Sequence, residues 1–385
     1  MEITKIDPNL LNKNNMRLMM CCSEIGLGHV YRIMSLGKKL IKNGHEVSFF
    51  SGGKAFQLLQ REFKDVNYCT PVLWYENSRG ILTYASLMNI LLPLPIFNIE
   101  KNKLEIKTSN AMETVHRYYD LRQQIRKKRP ELIIVDGDIH ALRLASRWKI
   151  PSVYITNVIR PSHDFSPIFY PGERVIERYL KHCLKVIIPD NPPPYTICEF
   201  NLGNIEDIGI REKVEFAGSF VDTTPVQGHR RHVFAPISGP YGTRAKLSKL
   251  ILPVLRDLKI RSIVSLGVRD RKEIARKKDV EIHPWLSLEK RAVFMKNAKI
   301  IVFSGGHGYQ KPSICIPTQP EQTGNAVKLE KLNCSILVRN QNELRKAFDT
   351  IESESKEYNS KVRELNNFSR KFNGLAQTVK IIESL

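Results

Sequence analysis

Three loops of this 385-residue chain combine glycine with side chains that could do chemistry. They are GLGH at residues 26–29, SGPYGTR at residues 238–244 and SGGHG at residues 304–308. Each follows a short apolar run, as expected at the end of a buried strand. Glycine lets the backbone approach a ligand closely, and a helix N-terminus behind such a loop favours negative charge. The three loops therefore predict contacts with an anionic ligand.

The third loop has the most specific surroundings. Its glycines and His307 suit a diphosphate, which binds backbone N–H groups and a donating side chain. The segment PTQPEQTGNA, residues 317–326, follows after one more apolar run. Within it, Glu321 and Gln322 offer acceptors and donors for sugar hydroxyls. A ligand that contains both a diphosphate and a sugar would match this pattern.

The elements that must position these loops alternate along the chain. In the first half, apolar runs at residues 16–22, 130–138, 150–157 and 185–190 alternate with predicted helices over Tyr31–Asn43, Glu113–Lys128 and Ala141–Lys149. The same alternation restarts in the second half. This order is typical of an α/β fold with a parallel sheet covered by helices on both faces. We predict two similar α/β domains, with the linker near residues 221–231, where Pro, Gly and polar residues cluster.

The charge and the cysteines limit the class of protein. Lys and Arg exceed Asp and Glu by 21, so the partner is expected to be anionic: a nucleic acid, a phosphorylated metabolite or an anionic membrane. A Lys-rich proteome would explain part of this excess. The basic runs lack interleaved aromatic side chains, so no specific nucleic acid is expected. Seven cysteines without a CxxC pair indicate a reducing, cytoplasmic compartment, and the polar N-terminus does not resemble a signal peptide.

The most apolar stretch, ILTYASLMNILLPLPIF, covers residues 81–97. It is too short for a membrane-spanning helix, and Asn89 and two prolines interrupt it. Arg79 precedes it, and Lys101 and Lys103 follow it. An apolar patch with basic flanks can lie in the interface of an anionic membrane. A core helix or a lid packed on the domain is the alternative, and the sequence leaves both open.

Beyond these patterns, the chain resembles a known family. SGGHG followed by KPSICIPTQPEQTGNA is similar to the donor-site signature of two-domain nucleotide-sugar glycosyltransferases of the GT-B type, and most of all to their MurG-like branch, which glycosylates lipid-linked acceptors. GLGHVYR, and NGHEV at residues 43–47, match the N-terminal pattern of the same family. The resemblance extends from about residue 16 to the C-terminus. It implies two Rossmann-like domains with a cleft between them and closing C-terminal helices.

The resemblance also implies domain boundaries. Residues 1–15 would form a polar tail and residues 16–222 an acceptor-binding domain. Residues 230–365 would form the donor-binding domain, and residues 366–385 a closing helix. GT-B enzymes generally need no bound metal, so we expect no cofactor and no metal site.

Individual roles follow from matching positions. His307 and the neighbouring glycines would hold the donor diphosphate, Glu321 and Gln322 the sugar, and the loop with Trp285 would frame the base. The donor-binding residues implied are Ser238, Gly242, Thr243, Arg244, Trp285, Gly305, Gly306, His307, Gly308, Glu321, Gln322 and Asn325. The acceptor-binding residues implied are Gly26, Gly28 and His29.

His29 falls where many members keep a base or an acceptor-binding histidine. We predict that it is the general base, with acceptor binding as the alternative. Asp136 falls where some members orient that histidine with a carboxylate. It ends an apolar run, so it could accept a hydrogen bond from the second ring nitrogen of His29. Asp138 is an alternative partner that the sequence does not exclude.

One departure from the family lies after Gly308. Relatives carry there a helix with a glutamate that binds the donor ribose, whereas here Lys311 and Pro312 follow almost at once. Either about two turns of helix are deleted, or residues are missing from the sequence as it stands. The intact flanking motifs favour the second explanation. A true deletion would remove the ribose contact.

The function predicted is transfer of a sugar from a UDP-linked donor to a lipid or lipid-phosphate acceptor. The enzyme would be an inverting hexosyltransferase of glycan biosynthesis, peripherally associated with the cytoplasmic membrane face. A nucleotide-sugar 2-epimerase of the same fold is one alternative. A non-enzymatic protein that binds nucleotide sugars or nucleic acid is the other, and a steep salt dependence of nucleic-acid binding would support it.

Overall fold

The computed structural model describes residues 15–24, 27–71, 75–77, 80–82, 96–100, 103–107, 111–164, 167, 170–220, 232–239, 241–268, 274–305 and 311–385. The predicted linker at residues 221–231, most of the polar tail and most of the apolar stretch 81–97 lie outside these ranges. So do Gly26, Gly306, His307 and Gly308. The domain boundaries therefore stay predictions.

Within the described residues, the first half forms one large sheet and two short hairpins. Its strands are β1 (Arg17–Cys22), β2 (Glu46–Ser51), β3 (Val66–Tyr68), β4 (Tyr75–Asn77), β5 (Gly80–Leu82), β6 (Ile96–Glu100), β7 (Lys103–Lys107), β8 (Leu132–Asp136), β9 (Ser152–Ile155), β10 (Lys185–Ile188) and β11 (Val214–Phe216). The large sheet has the order β11-β10-β9-β8-β1-β2-β3, and all its neighbours are parallel. From β3 to β10 this is the strand order of a Rossmann fold, in which ligands bind where the order reverses. The reversal lies between β1 and β8.

The described part of the second half repeats this arrangement. Its strands are β12 (His232–Pro236), β13 (Ser262–Ser265), β14 (Ala275–Lys277), β15 (Val280–His283), β16 (Ala298–Phe303), β17 (Ser313–Cys315) and β18 (Ser335–Leu337). The sheet order is β14-β15-β13-β12-β16-β17-β18, and only the edge strand β14 is antiparallel to its neighbour. Here the strand order reverses between β12 and β16. The two α/β sheets confirm the predicted fold class.

Helices cover the sheets and extend to the C-terminus. They are α1 (Leu27–Lys42), α2 (Gly53–Gln60), α3 (Ala111–Lys128), α4 (Ile139–Trp148), α5 (Tyr170–Leu180), α6 (Glu199–Leu202), α7 (Ile205–Ile208), α8 (Tyr241–Asp257), α9 (Leu288–Lys296), α10 (Pro320–Lys331), α11 (Gln341–Ser353), α12 (Ser355–Ser369) and α13 (Gly374–Glu383). Within the described ranges, no helix combines the length and the apolar character needed to cross a membrane.

The central strands follow directly from their composition. All five residues of β8, LIIVD, are buried, as are the last five of β1. Apolar runs of this kind suit strands covered on both faces. Helix α1 begins at Leu27, four residues earlier than predicted, so His29 belongs to its first turn rather than to a loop.

The C-terminal helices join the two halves. Helix α12 continues to Ser369, past the boundary predicted at residue 366. Helix α13 then packs on the first half, where Val379 and Ile382 enter the core beneath α1. Its Glu383 accepts a hydrogen bond from Asn43 Nδ2 (2.6 Å). The predicted closing helix is thus present, and it closes on the N-terminal half.

The connection between β16 and β17 is unusually short. The two strands are parallel neighbours, yet only residues 304–312 link them. Parallel crossovers usually need about a dozen residues or more, because the chain must return to the same end of the sheet. Residues 306–310 lie outside the described residues, so both explanations of the departure after Gly308 stay predictions.

Candidate active site

The first candidate site lies where the strand order reverses between β1 and β8. Cys22, the last residue of β1, pairs with Asp136, the last residue of β8. The first turn of α1 follows β1 and places the His29 ring above this point. The Asp136 side chain is fully buried, whereas that of His29 is 31% exposed. A buried carboxylate therefore lies behind a partly exposed imidazole.

The two side chains are in direct contact. His29 Nδ1 lies 2.6 Å from Asp136 Oδ1. A carboxylate accepts hydrogen bonds, so this contact requires Nδ1 to carry a proton and leaves Nε2 bare in the neutral ring. The contact anticipated from the sequence is present. Its geometry is that of a histidine whose tautomer a carboxylate fixes.

Gly137 makes this contact possible. It has φ +72°, and an ideal Cβ at this position would lie 2.8 Å from His29 Cε1. Only a residue without a side chain leaves room for the imidazole there. The sequence analysis did not identify Gly137, although its place between two aspartates was a signal.

Arg32 was also missed, and it lies at the centre of the site. Its Nε donates to Asp136 Oδ2 (2.7 Å) and its Nη2 donates to Asp136 Oδ1 (2.7 Å). Burial alone would raise the pKa of Asp136, but Arg32 and His29 outweigh burial and hold that pKa below its ordinary value. Arg32 follows His29 by three residues, so both lie on one face of α1. That spacing in GLGHVYR was the available signal.

Asp138 has a different role and does not contact His29. Its Oδ1 accepts hydrogen bonds from the backbone N–H groups of His140 and Ala141 and caps α4. Its Oδ2 accepts from Arg117 Nη2 (2.5 Å), and Arg117 also lies 3.5 Å from Glu24. Asp138 is therefore part of a buried ion cluster beside the site. The alternative left open by the sequence is resolved in favour of Asp136.

The second candidate site lies where the strand order reverses between β12 and β16. Gly242, Thr243 and Arg244 lie in the first turn of α8, and Ser238 is exposed just before it. Arg244 Nη1 donates to the Gly267 carbonyl (3.1 Å). The Thr243 hydroxyl is buried and has no hydrogen-bond partner among the described residues. A helix N-terminus with such a hydroxyl suits a phosphate.

Three more predicted residues have distinct surroundings. Gly305 ends the described part of the third loop with φ +96°, and a Cβ there would lie 2.6 Å from the Gln322 carbonyl oxygen. Trp285 follows β15 and is 40% exposed. Gly28 lies on the acceptor side. Among the described residues, no atom lies within 4 Å of the place where a Cβ would be, so the space beside this glycine is open.

Helix α10 carries the residues expected to bind the sugar. Gln322 Oε1 accepts hydrogen bonds from the N–H and the hydroxyl of Thr318 (3.0 and 2.9 Å). Within the described residues, its Nε2 remains available to a ligand. Glu321 lies in the first turn of α10.

Asn325 is buried (2% exposed) and contacts other protein groups. Its Nδ2 donates to the Gly305 carbonyl (3.0 Å) and its Oδ1 accepts from Asn201 Nδ2 (2.8 Å). Asn325 therefore holds the third loop against α10 and against α6 of the first half. Its contact with the donor stays a prediction.

Two observations connect the two sites. Asn201 Nδ2 donates to the Glu321 carbonyl (2.8 Å), which attaches α10 to the first half. Burial alone would lower the pKa of Arg32, but Asp136, with a smaller contribution from Glu321, raises it above its ordinary value. Helix α10, which is expected to bind the sugar, is therefore attached to the half that carries the His29–Asp136 pair.

Sequence comparisons point to one class of enzyme. No protein-family model matches the chain. An uncharacterized glycosyltransferase of Methanosarcina acetivorans is 22% identical over 393 residues, which cover 95% of this chain and 95% of the relative. An uncharacterized glycosyltransferase of Methanosarcina mazei is 22% identical over 396 residues, covering 96% and 98%.

Solved structures show the same fold. The glycotransferase of kitacinnamycin matches with a TM-score of 0.65 at 15% identity, covering 95% of this chain and 98% of its own. Spinosyn rhamnosyltransferase SpnG, complexed with thymidine diphosphate, matches with a TM-score of 0.65 at 12% identity, covering 96% and 100%. MurG of Acinetobacter baumannii matches with a TM-score of 0.58 at 12% identity, covering 96% and 99%.

These findings agree with the geometry of the site. The chain has the two-domain GT-B fold, and it is an enzyme that transfers sugars. MurG stands among the neighbours beside other glycosyltransferases, so the comparisons do not single out the MurG-like branch.

Proposed function

We propose that the chain is an inverting glycosyltransferase that moves a sugar from a UDP-linked donor to a hydroxyl of a lipid or lipid-phosphate acceptor. One observation carries this proposal. A histidine held by a buried aspartate, His29 with Asp136, lies at the strand reversal of the first sheet. Glu321, on the helix that begins beside the third loop, contributes to raising the pKa of Arg32, which binds Asp136. A base and a sugar-binding carboxylate on opposite sides of one site suit transfer between two substrates.

The proton and bond changes follow from these positions. His29 Nε2 takes the proton of the acceptor hydroxyl as its oxygen attacks the anomeric carbon. A bond from that oxygen to the anomeric carbon forms, the bond from the anomeric carbon to the donor phosphate breaks, and the configuration inverts. Asp136 keeps the Nδ1 proton in place and stabilises the imidazolium that forms.

The leaving nucleoside diphosphate must be stabilised by groups that the fold already holds in position. The N-terminal turn of α8 supplies backbone N–H groups and the buried Thr243 hydroxyl. His307 and the glycines around it would complete the diphosphate site. These groups need no metal ion for the stabilisation, which is why we propose a reaction without a cofactor.

The donor is tested by thermal unfolding with a set of nucleotide sugars. A ligand at about 100 times its Kd stabilises a protein by about 2.7 kcal/mol. UDP-sugars should raise the midpoint more than TDP-sugars, although thymidine diphosphate is the ligand of the SpnG structure. No shift with any nucleotide sugar would contradict donor binding. A preference for TDP-sugars would correct the nucleotide only.

A lipid acceptor is supported by the surface of the first half. Helix α3 follows the apolar stretch 81–97 along the chain and exposes Met112 (62%), Val115 (59%) and Tyr119 (60%). Their spacing places them along one face of the helix. Arg126 and Lys127 extend the helix with positive charge. Apolar side chains beside cations suit the interface of an anionic membrane.

Vesicle co-sedimentation tests this part of the proposal. Replacing Leu91, Leu92 and Leu94 by Ser, or Val115 and Tyr119 by Ser, should reduce binding to phosphatidylserine-containing vesicles and leave donor binding intact. Ile274→Ser with Val293→Ser is the matched control, because these apolar side chains are exposed to a similar degree in the second half (55% and 53%). Undiminished binding by the first two variants would contradict membrane association through these residues.

Product analysis separates the proposed reaction from its alternatives. With a UDP-sugar and a lipid extract, label should move from the water-soluble donor to a lipid product. An epimerase would change the sugar nucleotide without any lipid, and a binding protein would leave the donor unchanged.

A further inference from the structure

Arg32 shares the carboxylate of Asp136 with His29, and two donors therefore meet at one oxygen. Asp136 Oδ1 receives Arg32 Nη2 at 2.7 Å and His29 Nδ1 at 2.6 Å, while Oδ2 receives Arg32 Nε at 2.7 Å. A bidentate guanidinium fixes the plane of a carboxylate as well as its charge. Arg32 thus fixes the orientation of the Asp136 carboxylate relative to His29.

The guanidinium also lies close to the imidazole itself. Arg32 Nη2 is 3.2 Å from His29 Nδ1. Since Nδ1 carries the proton donated to Asp136, this is a contact between two donors and not a hydrogen bond. Asp136 favours a positive charge on the ring, whereas Arg32 opposes it. A histidine–aspartate pair without such a cation would have only the first of these influences.

We propose that Arg32 is a positioning residue of the proton transfer, which holds Asp136 in line with His29 and opposes protonation of the free imidazole. The positive charge of Arg32 also promotes loss of the proton from the imidazolium after transfer. This inference rests on the proposed function for its catalytic meaning, although the charge effect itself does not.

Other charged and titratable groups around the cluster are few among the described residues. Glu321 on α10 acts on Arg32 from the opposite side of the site. The charge of Asp136 also acts on Tyr154 of β9 and Cys22 of β1, but burial raises the pKa of each, so both stay neutral. Arg32 is therefore the cation beside the pair whose removal should change its proton uptake.

The test compares two variants of Arg32. Arg32→Gln removes the charge and keeps a donor for Asp136, and Arg32→Lys keeps the charge with fewer hydrogen bonds. NMR titration of the His29 ring protons, assigned by their loss in His29→Gln, follows proton uptake by the Asp136–His29 pair without any substrate. Lys39→Gln is the matched control, because it removes the same charge from the exposed side of α1.

We expect Arg32→Gln to raise the pH of proton uptake by about 1–3 units, the usual effect of one close charge. Arg32→Lys should raise it less, and Lys39→Gln should leave it unchanged. The acidic limb of the pH–rate profile should move in the same direction. An unchanged titration in folded Arg32→Gln, or a rate loss equal at every pH, would overturn the proposal. Because the titration needs no donor or acceptor, absence of transfer activity would contradict the proposed function alone.

Discussion

The His29 ring lies against Gly137 and leaves no space for a Cβ atom at residue 137. A Cβ on Gly137 would lie 2.8 Å from Cε1 and 3.0 Å from Nδ1 of the imidazole. Contacts below 3.0 Å between a Cβ and another heavy atom require one of the two groups to shift. The orientation of His29 therefore depends on a glycine as much as on the carboxylate that it contacts.

Gly137→Ala should displace the His29 ring and lower the transfer rate by at least about tenfold, since its contact with Asp136 would be lost. The positive φ at residue 137 adds about 1–2 kcal/mol of strain for any other residue. Gly209→Ala is the matched control, because Gly209 has φ +73° but its nearest neighbour atoms are 3.9 Å away. Unfolding in urea should show similar losses of stability in both variants. Equal loss of activity in both would contradict the steric account.

Asp136→Asn should lower the transfer rate, because the side chain no longer carries a charge beside His29 and Arg32. The loss should be smaller than that caused by removing His29, because the asparagine keeps the position of the aspartate. The amide introduced there could also present its N–H₂ group to Nδ1, which would favour the wrong tautomer. The rate at saturating donor measures this effect, and the donor KM should not change. A higher donor KM with an unchanged rate would place Asp136 in donor binding instead.

Gln322 and Asn325 should differ in what they do for the donor. Gln322→Ala should weaken binding of the complete UDP-sugar more than binding of UDP, since its Nε2 is available to the sugar. Asn325→Ala should weaken both equally, because it releases Gly305 from α10. Losses of about twofold to tenfold in affinity correspond to one such hydrogen bond between neutral groups. Calorimetric titration of both ligands checks this, and equal losses in Gln322→Ala would contradict its sugar contact.

Arg117→Met should destabilise the fold by about 3–5 kcal/mol at pH 7, because Asp138 would remain as an unpaired buried charge. Burial alone would raise the pKa of Asp138, but Arg117 outweighs burial and holds that pKa below its ordinary value. In the native protein, the Arg117–Asp138 pair contributes fully to stability above about pH 4, the pKa of an aspartate in the unfolded chain. This contribution is lost as the pH falls through the lower pKa that Asp138 has in the folded protein.

In the Arg117→Met variant, the pKa of Asp138 shifts in the opposite direction. Without Arg117, burial raises the pKa of Asp138, so the carboxyl takes up a proton as the pH falls from about 7 towards 4. The difference in stability between the two proteins should therefore narrow over that range. Urea unfolding at several pH values measures it, with the exposed Arg147→Met as control. A difference that stays constant down to about pH 4 would contradict the buried pair.

The sequence predicted the parts of the fold that depend on local patterns. Apolar runs that alternate with helical spacing indicated parallel sheets, because strands covered on both faces require such runs. His29 and Asp136 could be placed together because each follows a strand at the same edge. The choice between Asp136 and Asp138 could not be made, since it depends on which residue ends β8 and which caps α4.

The missed residues depend on contacts that are distant in sequence. Arg32 meets Asp136 only after β1 and β8 pair, and Asn325 meets Asn201 only after the two halves pack together. Arg32 and Asn325 both lie on helices, and neither has a local signature that tells a ligand contact from an internal one. The sequence therefore could not show the internal contacts that Asn325 makes.

The central claim is that His29 accepts the proton of the acceptor hydroxyl, and the pH dependence of transfer at saturating acceptor tests it most directly. A label-transfer assay with a UDP-sugar and lipid extract should show an acidic limb for the unmodified protein. His29→Ala should lose about a hundredfold to ten-thousandfold in rate, keep its donor affinity and lose that limb. If His29→Ala instead kept the limb and changed only the acceptor KM, His29 would bind the acceptor and would not be the base.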